Sequence, residues 1–253
     1  MSALIVIPAR HASTRLPGKP LLKQTGKYLI QHVYERACLS RKARTVVVAT
    51  DDPRIVCAVE SFGGKVALTR RDHPSGTDRV AEVARLHDED IIINLQGDEP
   101  LIDPGALDQL IALLEADPSA QMATLATPIR SAEQFANPAC VKVVCDDAGS
   151  ALYFSRSPVP FVRDGSPDFA ARPARFLQHV GIYGYRRSAL FQFASLPPSA
   201  IERFEKLEQL RALAAGWRIR VGMIDQPSLG VDTHEDYQRF FAIYRKSQAN
   251  EAA

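Results

Sequence analysis

Residues 45–64 read TVVVATDDPRIVCAVESFGG, and the reading of this stretch decides the fold class. Thr45–Thr50 is a short β-branched run, which suits a buried strand. Asp52-Pro53 then sets a capping side chain ahead of a proline at the first helical position, where the missing N–H costs nothing. From Pro53 to Phe62 the apolar residues recur at helical spacing, and Gly63-Gly64 follows as a C-cap would. Strand, tight turn, helix and turn together make half of a parallel crossover unit.

The same rhythm extends in both directions. Leu4–Ile7, Lys65–Leu68 and Asp90–Leu95 read as strands, and Leu29–Leu39 and Thr77–Leu86 as amphipathic helices. This alternation predicts an α/β fold with a mostly parallel sheet and helices on both faces. After about residue 120 the pattern changes. Met122–Thr127, Val141–Cys145 and Ala151–Ser155 are strand-like and closely spaced, with Asp146-Asp147-Ala148-Gly149 as a hairpin-type turn. Residues 157–176 carry Pro158, Pro160, Pro167 and Pro173 and read as a long loop. A strand near Val180–Tyr185, a helix Ser199–Ala215, a strand Arg218–Met223 and a helix Glu235–Lys246 complete the pattern. The expected organisation is a single domain over residues 1–253, with a smaller β-rich lobe inserted at approximately 121–198.

Composition narrows the classes of function. Of 253 residues 46% are hydrophobic and 24% charged, an ordinary globular mixture long enough to bury a core without staples. Lys plus Arg number 31 against 29 Asp plus Glu, so no basic excess points to a nucleic-acid partner. The apolar runs, such as Ala3–Ile7, are far too short to span a membrane, and MSALIVIPAR has no basic region ahead of an apolar leader core. Cys38, Cys57, Cys140 and Cys145 are scattered with no CxxC pair, which predicts reduced, mostly buried thiols in a cytoplasmic protein.

Local clusters carry the chemistry. The first strand runs into ARHASTRLPGKP at 9–20, which places Arg10, Arg15 and Lys19 after a parallel strand, with Gly18 permitting a tight turn. Open α/β sheets bind ligands at that end, and fixed cations suit a triphosphate whose charge grows on the leaving pyrophosphate. The segment has neither GxxxxGK[ST] nor GxGxxG, and a solvated basic loop fits it too. Asp98, after the strand that ends in NL, can bind Mg²⁺ or cap a helix near Pro104. Asp232 sits two positions after Gly230; it can join Asp98 in holding metal, or it or Thr233 can cap the last helix. Ser75-Gly76-Thr77-Asp78-Arg79 is either a contact surface for base or phosphate or an ordinary capped helix start. Alternation puts His179, Gly181 and Tyr183 on one strand face. Glu208 and Gln209 fall on an amphipathic helix, where a solvent-facing position is the plain expectation, and Arg156 after ALYFS has the same plain reading.

Eight segments stand in a recognisable order: PARHASTRLPGKPL at 8–21, ATDD at 49–52, HPSGTDR at 73–79, NLQGDEP at 94–100, ALYFSR at 151–156, HVGIYGY at 179–185, LEQLR at 207–211 and GVDT at 230–233. Together they closely resemble the 3-deoxy-manno-octulosonate cytidylyltransferases, or CMP-Kdo synthetases, over roughly residues 3–245. The resemblance implies a Rossmann-like sheet and a nucleotide-diphospho-sugar transferase type of fold. It implies a Mg²⁺-dependent reaction of CTP with Kdo giving CMP-Kdo and pyrophosphate, which activates Kdo for lipopolysaccharide in the cytoplasm. A homodimer with contacts in the β-rich lobe is implied as well. Carried over residue by residue, it implies catalytic roles for Arg10, Lys19, Asp98 and Asp232. Ala9, Arg10, Arg15, Lys19, Ser75, Gly76 and Arg79 would bind CTP, Asp98 and Asp232 the metal, and Gln96, Arg156, His179, Tyr183, Glu208 and Gln209 the sugar acid. Rival readings are a CMP-sialic acid synthetase, a glycosyltransferase with paired aspartates, and a non-catalytic nucleotide-binding protein.

Overall fold

The protein is described from a computed structural model, over residues 1–12, 15–226 and 228–251. Ser13 and Thr14 of the basic loop lie outside the described residues. In chain order come β1 (Ala3–Ala9), a 3-10 turn (Lys19–Leu21), α1 (Leu29–Ala37), β2 (Ala43–Thr50), α2 (Pro53–Ser61), β3 (Val66–Leu68), α3 (Gly76–Ala84) and β4 (Ile91–Asn94). There follow α4 (Pro104–Ala116), β5 (Met122–Pro128), α5 (Ala132–Ala136), β6 (Lys142–Cys145), β7 (Ala151–Ser155) and β8 (Leu177–Arg186). The last elements are α6 (Arg187–Ser195), α7 (Ala200–Glu205), α8 (Leu210–Ala214), β9 (Ile219–Met223) and α9 (His234–Glu251). They form two compact units, Met1–Asp108 with Ser228–Ala253, and Gln109–Pro227.

In the first unit the strands are ordered β3-β2-β1-β4. All are parallel, with Val6 opposite both Val47 and Asn94. The chain therefore builds outward from β1 in one direction and then returns to add β4 on the other side. That reversal opens a crevice beyond the carboxyl ends of β1 and β4, where sheets of this kind bind ligands. Every residue of β4 is buried, as is Ala3–Ile7 in β1, so both sheet faces are covered. The expected caps form: the Asp52 carboxylate accepts from Arg54 N at 2.9 Å, and the Ser75 hydroxyl from Asp78 N at 3.2 Å. A second cluster of Leu16, Leu29, Val231, Tyr237 and Phe240 packs α9 against α1 and the basic loop. Burying each such aromatic side chain contributes about 2–3 kcal/mol.

The second unit is mixed. Strand β5 is antiparallel to β8 and parallel to β9. Strands β6 and β7 make the expected hairpin, closed by Gly149 N on Asp146 O at 3.0 Å, and β6 also pairs with β8. Among the described residues of 157–176 there is no helix or strand, but Val162 and Phe169 pack on Phe135, Cys140 and Phe176.

Two expectations are corrected. The helix Ser199–Ala215 is two short helices, α7 and α8, broken where Lys206 takes a left-handed conformation at φ 54°. The thiols are free but not mostly buried: Cys38 and Cys57 are exposed, Cys140 is buried and Cys145 half-buried.

Candidate active site

The crevice of the first unit collects the charged residues expected of it. Gly18, at φ 67°, turns the basic loop back so that its N–H donates to His11 O at 3.1 Å. This brings Lys19 inward, with its side chain only 12% exposed. Its ammonium lies 2.7 Å from Asp98 Oδ2 and 3.2 Å from Asp232 Oδ1, and Arg15 Nη2 lies 3.1 Å from the same Asp232 oxygen. Residues separated by more than two hundred positions thus meet at the ends of β1 and β4. Two backbone devices fix them. Val231 N donates to Asp98 O at 2.8 Å, and a Cβ at Gly97 would stand 2.9 Å from Pro8 O, so only glycine lets that loop approach β1. The resulting cleft of about 300 Å³ is lined by Ala9, Arg10, Arg15, Lys19, Gln96, Asp98 and Asp232, among others.

A second cavity of about 440 Å³ shares Arg10 and is lined by His11, Asp51, Asp52, Arg54, Arg71 and Arg79. Ser75 and Gly76 start α3, as expected, and the Ser75 hydroxyl donates to Asp78 Oδ2 at 2.7 Å. Arg79 is almost wholly buried, 1% exposed, and reaches Asp51 Oδ1 at 3.3 Å and the Thr69 hydroxyl. Burial holds its pKa below the ordinary value, against the pull of Asp51. Arg79 therefore offers little surface to a ligand; it fixes Asp51, a residue of the ATDD segment to which sequence reasoning assigned no role.

Glu99 was missed as well. Burial raises its pKa to about 7; the Ser228 hydroxyl opposes the rise and the charges of Asp98 and Asp232 add to it. Its Oε2 has no hydrogen-bond partner among the described residues. The Asp98 and Asp232 carboxylates, converging on one ammonium, are oxygen donors of the kind Mg²⁺ takes. Among the described residues no three His, Cys, Asp or Glu side chains are arranged to hold a metal, so water and phosphate would supply its other ligands.

The other expected residues lie on the second unit, apart from Gln96, whose Nε2 donates to Asn94 Oδ1 at 3.3 Å. His179 and Tyr183 do share a face of β8, with ring centroids 5.4 Å apart. A register irregularity opposite Thr124/Leu125 leaves Gly181 exposed between them. His179 is buried, with its Nε2 2.9 Å from the Thr124 hydroxyl. Burial lowers its pKa to about 3, which keeps the ring neutral near pH 7, while burial and the Glu208 charge raise that of Tyr183. Glu208 and Gln209 sit in the break between α7 and α8 rather than on a helical face. Gln209 is buried there, and its Nε2 has no partner among the described residues. Arg156 donates from Nε to Glu205 O at 2.7 Å, from Nη1 to Pro138 O at 3.1 Å and from Nη2 to Lys206 O at 3.4 Å.

Comparison with known proteins defines first the class. A family model described as cytidylyltransferase matches residues 4–219. A 3-deoxy-manno-octulosonate cytidylyltransferase of Geobacter sulfurreducens is 52% identical over 244 residues, covering 94% of this chain and 98% of the relative. The enzyme of the same description from Solibacter usitatus is 49% identical over 242 residues, covering 96% and 94%. A solved structure of CMP:2-keto-3-deoxy-manno-octonic acid synthetase complexed with CTP superposes with a TM-score of 0.91 at 48% identity, covering 98% of this chain and 100% of that one. The chain belongs to the 3-deoxy-manno-octulosonate cytidylyltransferase family, and is a nucleotidyltransferase.

Proposed function

We propose that the protein transfers the CMP group of CTP to 3-deoxy-manno-octulosonate (Kdo), releasing pyrophosphate. The observation that carries this reading is the meeting of Lys19, Asp98 and Asp232 at the strand-order reversal, with Arg10 and Arg15 beside them. A free triphosphate needs cations there, and a phosphoryl-transfer metal needs carboxylates.

In this reading Arg10, Arg15 and Lys19 hold the triphosphate and neutralise the charge that grows on pyrophosphate as it leaves. Ala9, Ser75 and Gly76 border the cytidine, with Arg79 acting through Asp51. Asp98 and Asp232 would hold Mg²⁺, which when bound supplies charge neutralisation at the α-phosphate and acidifies the attacking hydroxyl. Lys19 would then turn from the carboxylates toward phosphate. The anomeric hydroxyl of the sugar acid attacks the α-phosphorus in line, and the bond to pyrophosphate breaks.

On the second unit Arg156 grips the Kdo carboxylate through its remaining guanidinium donors. The unpartnered Gln209 amide and the Glu208 carboxylate take sugar hydroxyls beside His179 and Tyr183, and on the first unit Gln96 is proposed as a further contact to the sugar acid. A buried amide donor left unpaired costs free energy, which a bound sugar hydroxyl would recover. The β-rich lobe at 121–198 is proposed to carry the contacts of a homodimer. No helix of the described residues is long and apolar enough to cross a membrane. We place the enzyme in the cytoplasm, where its product would serve as Kdo donor for lipopolysaccharide.

The test is pyrophosphate release with Mg²⁺, CTP and Kdo, then with N-acetylneuraminate in place of Kdo. Release with Kdo alone is expected. Release with N-acetylneuraminate alone would move the assignment to the sialic acid branch, and none with either would defeat it.

A further inference from the structure

Lys142 is fully buried at the start of β6, and none of the roles above uses it. Its ammonium lies 3.0 Å from Asn137 O, 2.7 Å from Cys140 O and 2.6 Å from Arg156 O. Three donors therefore end on three backbone carbonyls, and the ammonium is saturated. Burial of a cation is costly, and a packed apolar side chain of similar volume commonly serves stability as well or better. Desolvation accordingly lowers the pKa of this lysine. The question is what its charge secures.

The three carbonyls give the answer. One belongs to Arg156 itself. The other two flank Pro138, whose own carbonyl accepts from Arg156 Nη1 at 3.1 Å. Lys142 thus fixes both the backbone of Arg156 and the turn on which one arm of the guanidinium leans. From the opposite side Glu205 Oε2 accepts from Arg156 N at 3.0 Å, and Glu205 Oε1 from the Ser155 hydroxyl at 2.6 Å. Arg156 is thereby held at its N–H, its carbonyl and its side chain, with donors left for a ligand.

We propose that Lys142 is a positioning residue of the sugar-acid site, acting by presenting the Arg156 guanidinium to the carboxylate of the incoming 2-keto acid. This deepens the reading of Arg156 given above and rests on it. A carboxylate gripped through two parallel bonds demands a fixed guanidinium plane. An arginine free to wander would bind the acid less tightly while leaving CTP unaffected.

The experiment uses steady-state kinetics of the full chain with CTP and Kdo for Lys142→Met, Lys142→Gln, Arg156→Ala and the double variant Lys142→Met/Arg156→Ala. Lys142→Met is expected to raise KM for Kdo about ten- to a hundredfold, as for loss of hydrogen bonds to a charged group, with KM for CTP within about twofold. Lys142→Gln keeps an amide donor and should recover part of the loss. The double variant should bind Kdo no worse than Arg156→Ala alone, because the lysine acts only through the arginine. If Arg156→Ala raises KM for Kdo and folded Lys142→Met does not, the positioning role is overturned and the Arg156 reading stands. If neither change moves it, the Arg156 reading fails and takes the proposal with it. Equal rises in both KM values, or failure of both Lys142 variants to fold, make Lys142 a stability residue and overturn the proposal.

Discussion

Asp98→Asn removes one of two carboxylates facing the Lys19 ammonium while keeping size and shape. The side chain is only partly buried, so folding should survive with a thermal midpoint within a few degrees of the parent. Turnover should fall by about a hundredfold or more, the scale of losing one charge-stabilising group. Near-normal kcat in a folded variant would refute the assignment of Asp98. A different residue sets the pH response of the fold. His32 is buried between Phe240 and Tyr244, with Nε2 2.7 Å from the Thr25 hydroxyl. Burial lowers its pKa to about 4; Glu35 pulls it upward and Lys27 pushes it down. The unfolded chain, titrating near the ordinary value, binds the proton first as pH falls. Stability is therefore full above about pH 6.5 and drains between there and pH 4. His32→Gln should weaken that dependence, by about 2 kcal/mol between pH 7 and pH 5 in urea titrations. An unchanged pH slope would show that other groups set it. At this scale the charged groups at element ends were legible, because Lys19 follows Gly18, Asp98 follows Gly97 and Asp232 stands two positions after Gly230. Asp51, Glu99 and Lys142 were not, since their importance comes from burial and from partners far along the chain.

Between residues and whole units, the break at Lys206 shows what periodicity misses. Residues 199–215 hold neither proline nor an internal glycine, so the helical pattern runs on unmarked. The Ser199 capping box starts α7 normally, yet Lys206 turns left-handed, and its carbonyl accepts from Arg156 Nη2. A non-glycine residue there is strained, and the strain persists where surrounding structure fixes it. The consequence is functional in the proposed reading: the break tips Gln209 inward, where a continuous helix would have left it to solvent. Lys206→Gly should keep the turn and relieve the strain, stabilising the fold by up to about 1 kcal/mol. KM for Kdo should stay unchanged, because the carbonyl and not the side chain is used. A fall in thermal midpoint would mean that the lysine side chain contributes more than its backbone costs. The first unit was read more fully than the second, and the reason is physical. Parallel strands buried on both faces declare themselves as continuous β-branched runs, whereas α5, α6 and α8 are held by tertiary contacts and leave short, ambiguous patterns.

Across the whole molecule exposed large apolar side chains occur on both units, Leu39, Leu68 and Leu86 among them on the first. Leu152 and Tyr153 on β7, Phe161 in the following loop and Phe204 on α7 are all exposed, the two phenylalanines by 85% and 86%, and all belong to the second unit. Among the described residues β7 pairs as a strand with β6 alone and so lies at an edge of its sheet, with Ser150 just ahead of it bridging Arg220 of β9. Edges of this kind are usually blunted by charge or covered, because they template association. A second copy of the chain, packed against β7 by a two-fold axis, would cover Leu152 and Tyr153 in both partners at once. Sedimentation of the full chain at micromolar concentration should therefore give twice the monomer mass. Leu152→Lys combined with Phe204→Lys should give the monomer with an unchanged circular dichroism spectrum, since neither side chain is part of the core. The near-neutral net charge of +2 opposes such pairing only weakly, so the dimer should persist at low salt. A parent protein that sediments as a monomer would remove the dimer from the proposed function.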